Sequence, residues 1–249
     1  MSRKKLIGIV AACIIIVIVV VIAVSRPSPV VTFPDTNLET AIREALNEPS
    51  GPIHASRLAG LTRLEAQFRG IKSLSGLEHC TSLTHLFLES NNISDISPLA
   101  DCADLTELGL YSNQISDISP LANLTSLTNL ELDSNQISDI SPLANLANLT
   151  GLTLGSNQIG DISPLANLAH LENLHLYDNQ ISDISPLANL TSLEYLYLWN
   201  NQINDISPLV DNEGLSEGDQ VDLTLNPLSS DSINVHIPQL QARGVYVEY

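Results

Sequence analysis

An asparagine that returns every 22 residues decides what this chain can fold into. Asn91, Asn113, Asn135, Asn157, Asn179 and Asn201 each have a Leu three and five positions before them and an Ile two positions after. A recurrence of this length is the signature of a solenoid, in which each unit buries its apolar face only against the next. In the unit Ser112–Asp133, Leu130 and Leu132 alternate with Asn129, Glu131 and Asp133, the period of a half-buried strand. Stacked about 4.8 Å apart, such strands make a parallel sheet with one buried face. The Asn comes where the chain leaves the strand. Its amide is expected to be buried and bonded to open backbone groups of neighbouring turns, because an unpaired buried polar group costs about 1–3 kcal/mol. Asp-Ile-Ser-Pro-Leu then reads as a helical start, with Ser as the cap and Pro at the first helical position. Too few residues remain for a full helix, so a 3-10 turn on the convex side is expected. The expected fold class is α/β: a solenoid of 22-residue repeats, with a parallel β-sheet on the concave face, short 3-10 turns on the convex face and a small helical N-terminal cap.

This pattern resembles the bacterial internalin-type leucine-rich repeat, whose units have this length and carry segments like DISPLANLTSL. Six regular units run within residues 76–210, and degenerate units flank them. Leu64, Ala66 and Ile71 keep the frame with Arg69 in place of the Asn, and Val221, Leu223, Asn226 and Leu228 keep it after an insertion. Residues 33–75 are expected to form the N-terminal cap and degenerate first repeat, and residues 211–249 the degenerate last repeat and C-terminal cap. In the N-terminal cap, Thr36 and Glu39 read as a capping box, and Leu38, Ile42, Ala45 and Leu46 as one apolar stripe. The resemblance implies a scaffold that binds rather than a catalyst.

The charge is −18, and it is unevenly spread. From Ser73 to Ala242 there is no Lys or Arg, against 22 Asp and Glu. A nucleic-acid backbone is held by bases that displace its counterions, so nucleic acid is excluded as a partner. A protein ligand, with basic proteins favoured by charge, and neutral glycans remain as partners. At the N-terminus, Arg3, Lys4 and Lys5 precede 19 residues, Leu6–Val24, with no charged side chain. That run is about 30 Å long as a helix and reads as a membrane anchor with the repeats on the extracytoplasmic side. Residues 1–25 are thus anchor or signal sequence, cleavage at Ala23-Val24-Ser25 giving a secreted form as the alternative, and residues 26–32 a Pro-containing linker. An intracellular scaffold like the repeat proteins that regulate phosphatases is a third reading, which the apolar N-terminus opposes.

Candidate chemistry is sparse. Cys80 and Cys102 lie one period apart in a column otherwise filled by Leu, so buried free thiols are expected, with a bridge between neighbouring coils as the alternative. Asp95, Asp117, Asp139, Asp161, Asp183 and Asp205 form a second column. Calcium needs six to eight oxygens, which the adjacent Ile and Pro do not supply, so these carboxylates are expected to bond backbone N–H groups of the convex turns. No catalytic, metal or cofactor site is expected. The outward strand positions carry the information instead. They form three rows: His85, Glu107, Asn129, Gly151, Asn173, Tyr195; Phe87, Gly109, Glu131, Thr153, His175, Tyr197; and Glu89, Tyr111, Asp133, Gly155, Tyr177, Trp199. Tyr177, Tyr195, Tyr197 and Trp199, with His175 and Tyr111, are expected to form an aromatic ligand-binding face. Glu107, Glu131 and Asp133 form an acidic zone before them, and Gly151 and Gly155 are expected to leave a gap between.

Overall fold

The computed structural model describes residues 28–249. The expected anchor over residues 6–24 lies outside the described residues, among which no helix is long and apolar enough to cross a membrane. Nine three-residue strands form one parallel sheet in chain order: β3 (Arg63–Glu65), β4 (His85–Phe87), β5 (Glu107–Gly109), β6 (Asn129–Glu131), β7 (Gly151–Thr153), β8 (Asn173–His175), β9 (Tyr195–Tyr197), β10 (Gln220–Asp222) and β11 (Tyr246–Glu248). Each pairs residue for residue with its equivalent one coil on, so that Leu86, Leu108, Leu130, Leu152, Leu174 and Leu196 make one buried row. The ladder runs past the strands, with Leu88 N–H bonded to the Gly109 carbonyl and Ser90 N–H to that of Tyr111. The solenoid, its concave sheet and its convex 3-10 turns are as the sequence predicts.

The asparagine column works as anticipated. Asn113 Oδ1 accepts the Ile93 N–H at 3.0 Å, and its Nδ2 donates to the carbonyls of Leu88 and Leu110, both at 3.0 Å. The pattern recurs to Asn226 in the degenerate last repeat, which accepts from Ile203 N–H. The residue before each Asn, missed in the sequence, is left-handed. Ser90, Ser112, Ser134, Ser156, Asp178 and Asn200 have φ between 51° and 57°. Small polar residues tolerate that region best. Phe68 and Leu225 hold the same position in the flanking coils, and are 74% and 75% exposed.

On the convex side the expected cap is corrected. Ser97 is the first residue of its 3-10 turn and Ile96 precedes it without a side-chain bond. The Asp does the work: Asp95 Oδ1 accepts the Ser97 N–H at 2.8 Å, and every Asp of the column repeats the bond. That N–H bond holds the carboxyls of Asp117, Asp139 and Asp161 below the usual carboxylate range.

The two ends are plugged. Helix α1 (Thr36–Leu46) buries Leu38, Ala41 and Ile42 against the first coil. Its cap is Asp35 rather than Thr36. Asp35 Oδ1 accepts from Asn37 and Leu38, while Oδ2 accepts from Lys72 at 2.7 Å and Ser73 at 3.2 Å. Glu39 pairs with Arg43 instead of closing a box. Val30–Val31 (β1) pairs antiparallel with Ile53–His54 (β2), beside the short helix α2 (Ala55–Leu58). Helix α3 (Ser207–Asp211) continues the last regular coil. Helix α4 (Ile237–Ala242) closes the far end with Ile237 and Leu240, and Arg243 donates to the carbonyls of Asn212 and Val210.

Asp35 therefore joins a helix start to a coil distant in sequence. Burial raises its pKa, but the N–H groups of Lys72, Leu38, Ser73 and Asn37 outweigh that and lower it overall. Asp35→Ala is expected to lose about 1–2 kcal/mol in urea unfolding, the cost of a lost cap. Because the folded-state pKa is depressed, this contribution is present above the ordinary carboxylate value of 3.8 and fades as pH falls through the folded value. The wild-type and Asp35→Ala stability curves should converge in acid.

Candidate ligand-binding face

Because every strand sends its central Leu or Val inward, the residues on either side point into the concave wall. The structure brings four of the anticipated residues together. Tyr177 and Trp199 stack with ring centroids 4.7 Å apart and planes 3° from parallel. His175 meets the Tyr197 ring edge-on at 4.7 Å and lies 6.3 Å from Tyr177. Tyr195 and Tyr111 stand on the same wall but join no ring pair among the described residues. Tyr195 is exposed between Asn173 and Gln220.

The expected gap at Gly155 is filled. A Cβ on Gly155 would overlap the Tyr177 ring, which lies over the bare backbone. The phenol comes close to the carboxylate of Asp133, two coils back. Asp133 accepts the Gly155 N–H at 2.8 Å and the Thr153 hydroxyl. This carboxylate is a fixed anchor for the aromatic run rather than a free acid facing a ligand. Burial, and then the Asp133 charge, pushes the Tyr177 phenol up to about 12. At the cluster's rim Asp178 accepts from Ser156 Oγ and Asn200 Nδ2.

Beside this cluster lies an open hollow of about 350 Å³. Its floor is Gly109, Gly151 and Thr153, with Phe87 at one end and His175 at the other. Glu107 and Glu131 line it. Glu89, only 6% exposed, folds its carboxylate over Gly109, where a Cβ would collide with it. Burial first, and then the Asp133 and Glu107 charges, raises the Glu131 pKa. Burial dominates at Glu89 too, with Glu131 and Glu65 adding to it. His175 is pushed the other way, burial favouring its neutral form over the pull of Asp133. Phe87, Asn129, Thr153 and Asn173 belong to this hollow and were not singled out by sequence. Their signal was present in the outward rows, where Gly109 and Gly151 lie between Phe87 and His175 along the sheet.

The other candidates are structural. Cys80 and Cys102 are buried free thiols, and burial first and then the neighbouring Cys102 pushes Cys80 up to about 12. Such thiols are poor nucleophiles. Among the described residues no group of three His, Cys, Asp or Glu is placed to hold a metal ion.

The family described as Leucine Rich repeats (2 copies) matches residues 60–101, 103–145, 125–167, 147–189 and 169–211. Internalin C2 from Listeria monocytogenes is similar in structure, at 36% identity and a TM-score of 0.80, over 90% of this chain and 97% of that one. An internalin F from the same organism is 32% identical with a TM-score of 0.56, over 90% of this chain and 78% of that one. The plant peptide hormone receptor RGFR1, solved in complex with RGF2, shares the fold at 24% identity and a TM-score of 0.58, over 71% of this chain and 30% of that one. No curated protein matches the chain at a significant level.

Proposed function

The chain belongs to the internalin-type bacterial leucine-rich repeat family, and from that premise we propose that it is a cell-surface scaffold that binds a protein ligand on its concave face without catalysis. The observation that carries this reading is the contiguous run of His175, Tyr177, Tyr197 and Trp199 beside an acidic hollow. Large aromatic side chains dominate interface energetics, and here they are pre-ordered by stacking, so little side-chain entropy is lost on binding. The fold is one on which the plant receptor holds a peptide hormone, a likeness of fold alone. The surface location rests on the uncharged run Leu6–Val24 behind Arg3, Lys4 and Lys5.

Tyr177 is tied into Asp133 and Gly155, so Trp199 and Tyr197 are the residues to remove. With immobilised wild-type protein and the double variant Trp199→Ala, Tyr197→Ala as baits, the partners held by the wild type should be lost by the variant. Its melting temperature should fall by only a few degrees. Equal recovery by both baits would discard the aromatic face as the binding surface. Cleavage of the repeats by protease added to whole cells would support the surface location, and full protection would place them inside.

A further inference from the structure

We propose that the first outward row of the concave wall is a binding site for a neutral, extended, β-linked glycan, distinct from the aromatic cluster and independent of the protein ligand proposed above. From β6 to β11 this row is in register residue for residue: Asn129, Gly151, Asn173, Tyr195, Gln220 and Tyr246. None of these side chains is charged. Asn129 lies over Gly151, where a Cβ would collide with its Oδ1. From Asn173 onward amides and phenols alternate strand by strand. Tyr195 is 37% exposed and Tyr246 62%, and neither joins a ring pair among the described residues.

The buried asparagines of the ladder bond backbone carbonyls through their amides. Asn129, Asn173 and Gln220 do not. Among the described residues none of their side-chain amides has a hydrogen-bond partner, and none of the three is buried. Two exposed rings with an unbonded amide between them suit a sugar. The C–H face of a pyranose packs on a ring, and an amide both donates to and accepts from its hydroxyls.

The spacing of the row selects among polymers. Strands lie roughly 4.8 Å apart, which puts Tyr195 and Tyr246 roughly 9.6 Å apart along the sheet. An extended β-linked pyranose chain advances about 5 Å per ring, so it meets one strand per sugar and a tyrosine at every second sugar. An extended peptide advances about 3.3 Å per residue and falls out of step. A polyproline helix repeats at about 9.3 Å, close to the tyrosine spacing, but its rings carry no donors. Donors are what the flanks of the row require. Glu172, Glu194 and Asp219 immediately precede Asn173, Tyr195 and Gln220 and line one hollow together. Glu131, Asp222 and Glu248 occupy the next outward positions after Asn129, Gln220 and Tyr246, and none of them is buried. Carboxylates only accept, so they pair with sugar hydroxyls and repel uronic acids, sialic acids and phosphate-linked chains. No Lys or Arg between Ser73 and Ala242 offsets that repulsion.

The test titrates the full-length chain, in a sugar-free detergent, with cellohexaose and chitohexaose by calorimetry. At least one hexamer should bind, about tenfold or more tighter than its own dimer, because the row is six strands long. The double variant Tyr195→Ala, Tyr246→Ala should bind that hexamer about tenfold or more weakly. Its melting temperature should stay within a few degrees of wild type, because both side chains are exposed. Failure of both hexamers overturns the proposal, as do equal binding of the coiled, α-linked maltohexaose, equal binding of hexaproline, and an unaffected double variant. Neither tyrosine is altered in the Trp199→Ala, Tyr197→Ala bait, so loss of this site leaves the protein-binding reading standing.

Discussion

Asn135→Ala should destabilise the protein by about 3–5 kcal/mol, the largest single-residue effect expected away from the apolar core. Asn135 is 9% exposed and at mid-stack. Its Oδ1 accepts the Ile115 N–H at 3.0 Å, and its Nδ2 donates to the carbonyls of Leu110 and Leu132, both at 3.1 Å. The losses are unequal. Leu110 keeps a donor from Asn113, and Leu132 keeps one from Asn157, because each carbonyl is shared by two coils. The Ile115 N–H has no second acceptor and is left buried and unpaired. One orphaned donor at about 1–3 kcal/mol plus two lost bonds at about 1 kcal/mol each gives the figure. Asn135→Asp keeps the acceptor but turns a carboxylate towards two carbonyls, and should cost at least as much at neutral pH. Urea unfolding checks both. A loss under about 1 kcal/mol for Asn135→Ala would mean that water replaces the amide, and the column would then be filler rather than a brace.

That column also explains why the solenoid was legible in the sequence. Each coil solves the same burial problem, so Leu130, Leu132, Asn135 and Ile137 recur with their spacing intact, and the register follows from the period alone. The Asp column was readable for a related reason: its bond to the Ser two residues on is local. What failed at the N-terminal cap was the choice between competing local partners. Asp35 and Thr36 are both good helix caps, and the choice between them is made by the N–H groups of Lys72 and Ser73. The pairing of Glu39 with Arg43 left nothing for a capping box.

The concave wall shows the same limit. Rows of outward residues placed Tyr177 beside Trp199, and the two do stack. A row does not say which way a side chain leans along the sheet, so Gly155 looked like a vacancy when it is the seat of the Tyr177 ring. Gly109 plays the same part for the Glu89 carboxylate. In both places a glycine in one coil takes a large side chain from a neighbouring coil. These two exchanges shape the concave face: the first lays the aromatic run flat, and the second buries the Glu89 carboxylate against Gly109.

Gly155→Ala should therefore dismantle the aromatic run without touching an aromatic residue. The backbone at Gly155 is not left-handed, so alanine is sterically allowed there and the only conflict is with the Tyr177 ring. The ring must swing out, breaking its stack on Trp199 and moving its phenol away from Asp133. The phenol titration of Tyr177, followed by NMR, should fall from about 12 towards the ordinary 10.0. Near-ultraviolet circular dichroism should lose the Tyr–Trp signal, partner capture should fall as in the Trp199→Ala, Tyr197→Ala bait, and stability should drop by about 1–2 kcal/mol. The pH dependence has a definite sign. A phenol whose folded-state pKa is raised contributes stability that is fully present below 10.0 and is lost as pH rises towards about 12. The wild-type protein should lose that increment in alkali, and the variant, with its phenol already released, should not. A Gly155→Ala protein with an unchanged Tyr177 titration and unchanged partner capture would show that the ring does not need the bare backbone beneath it.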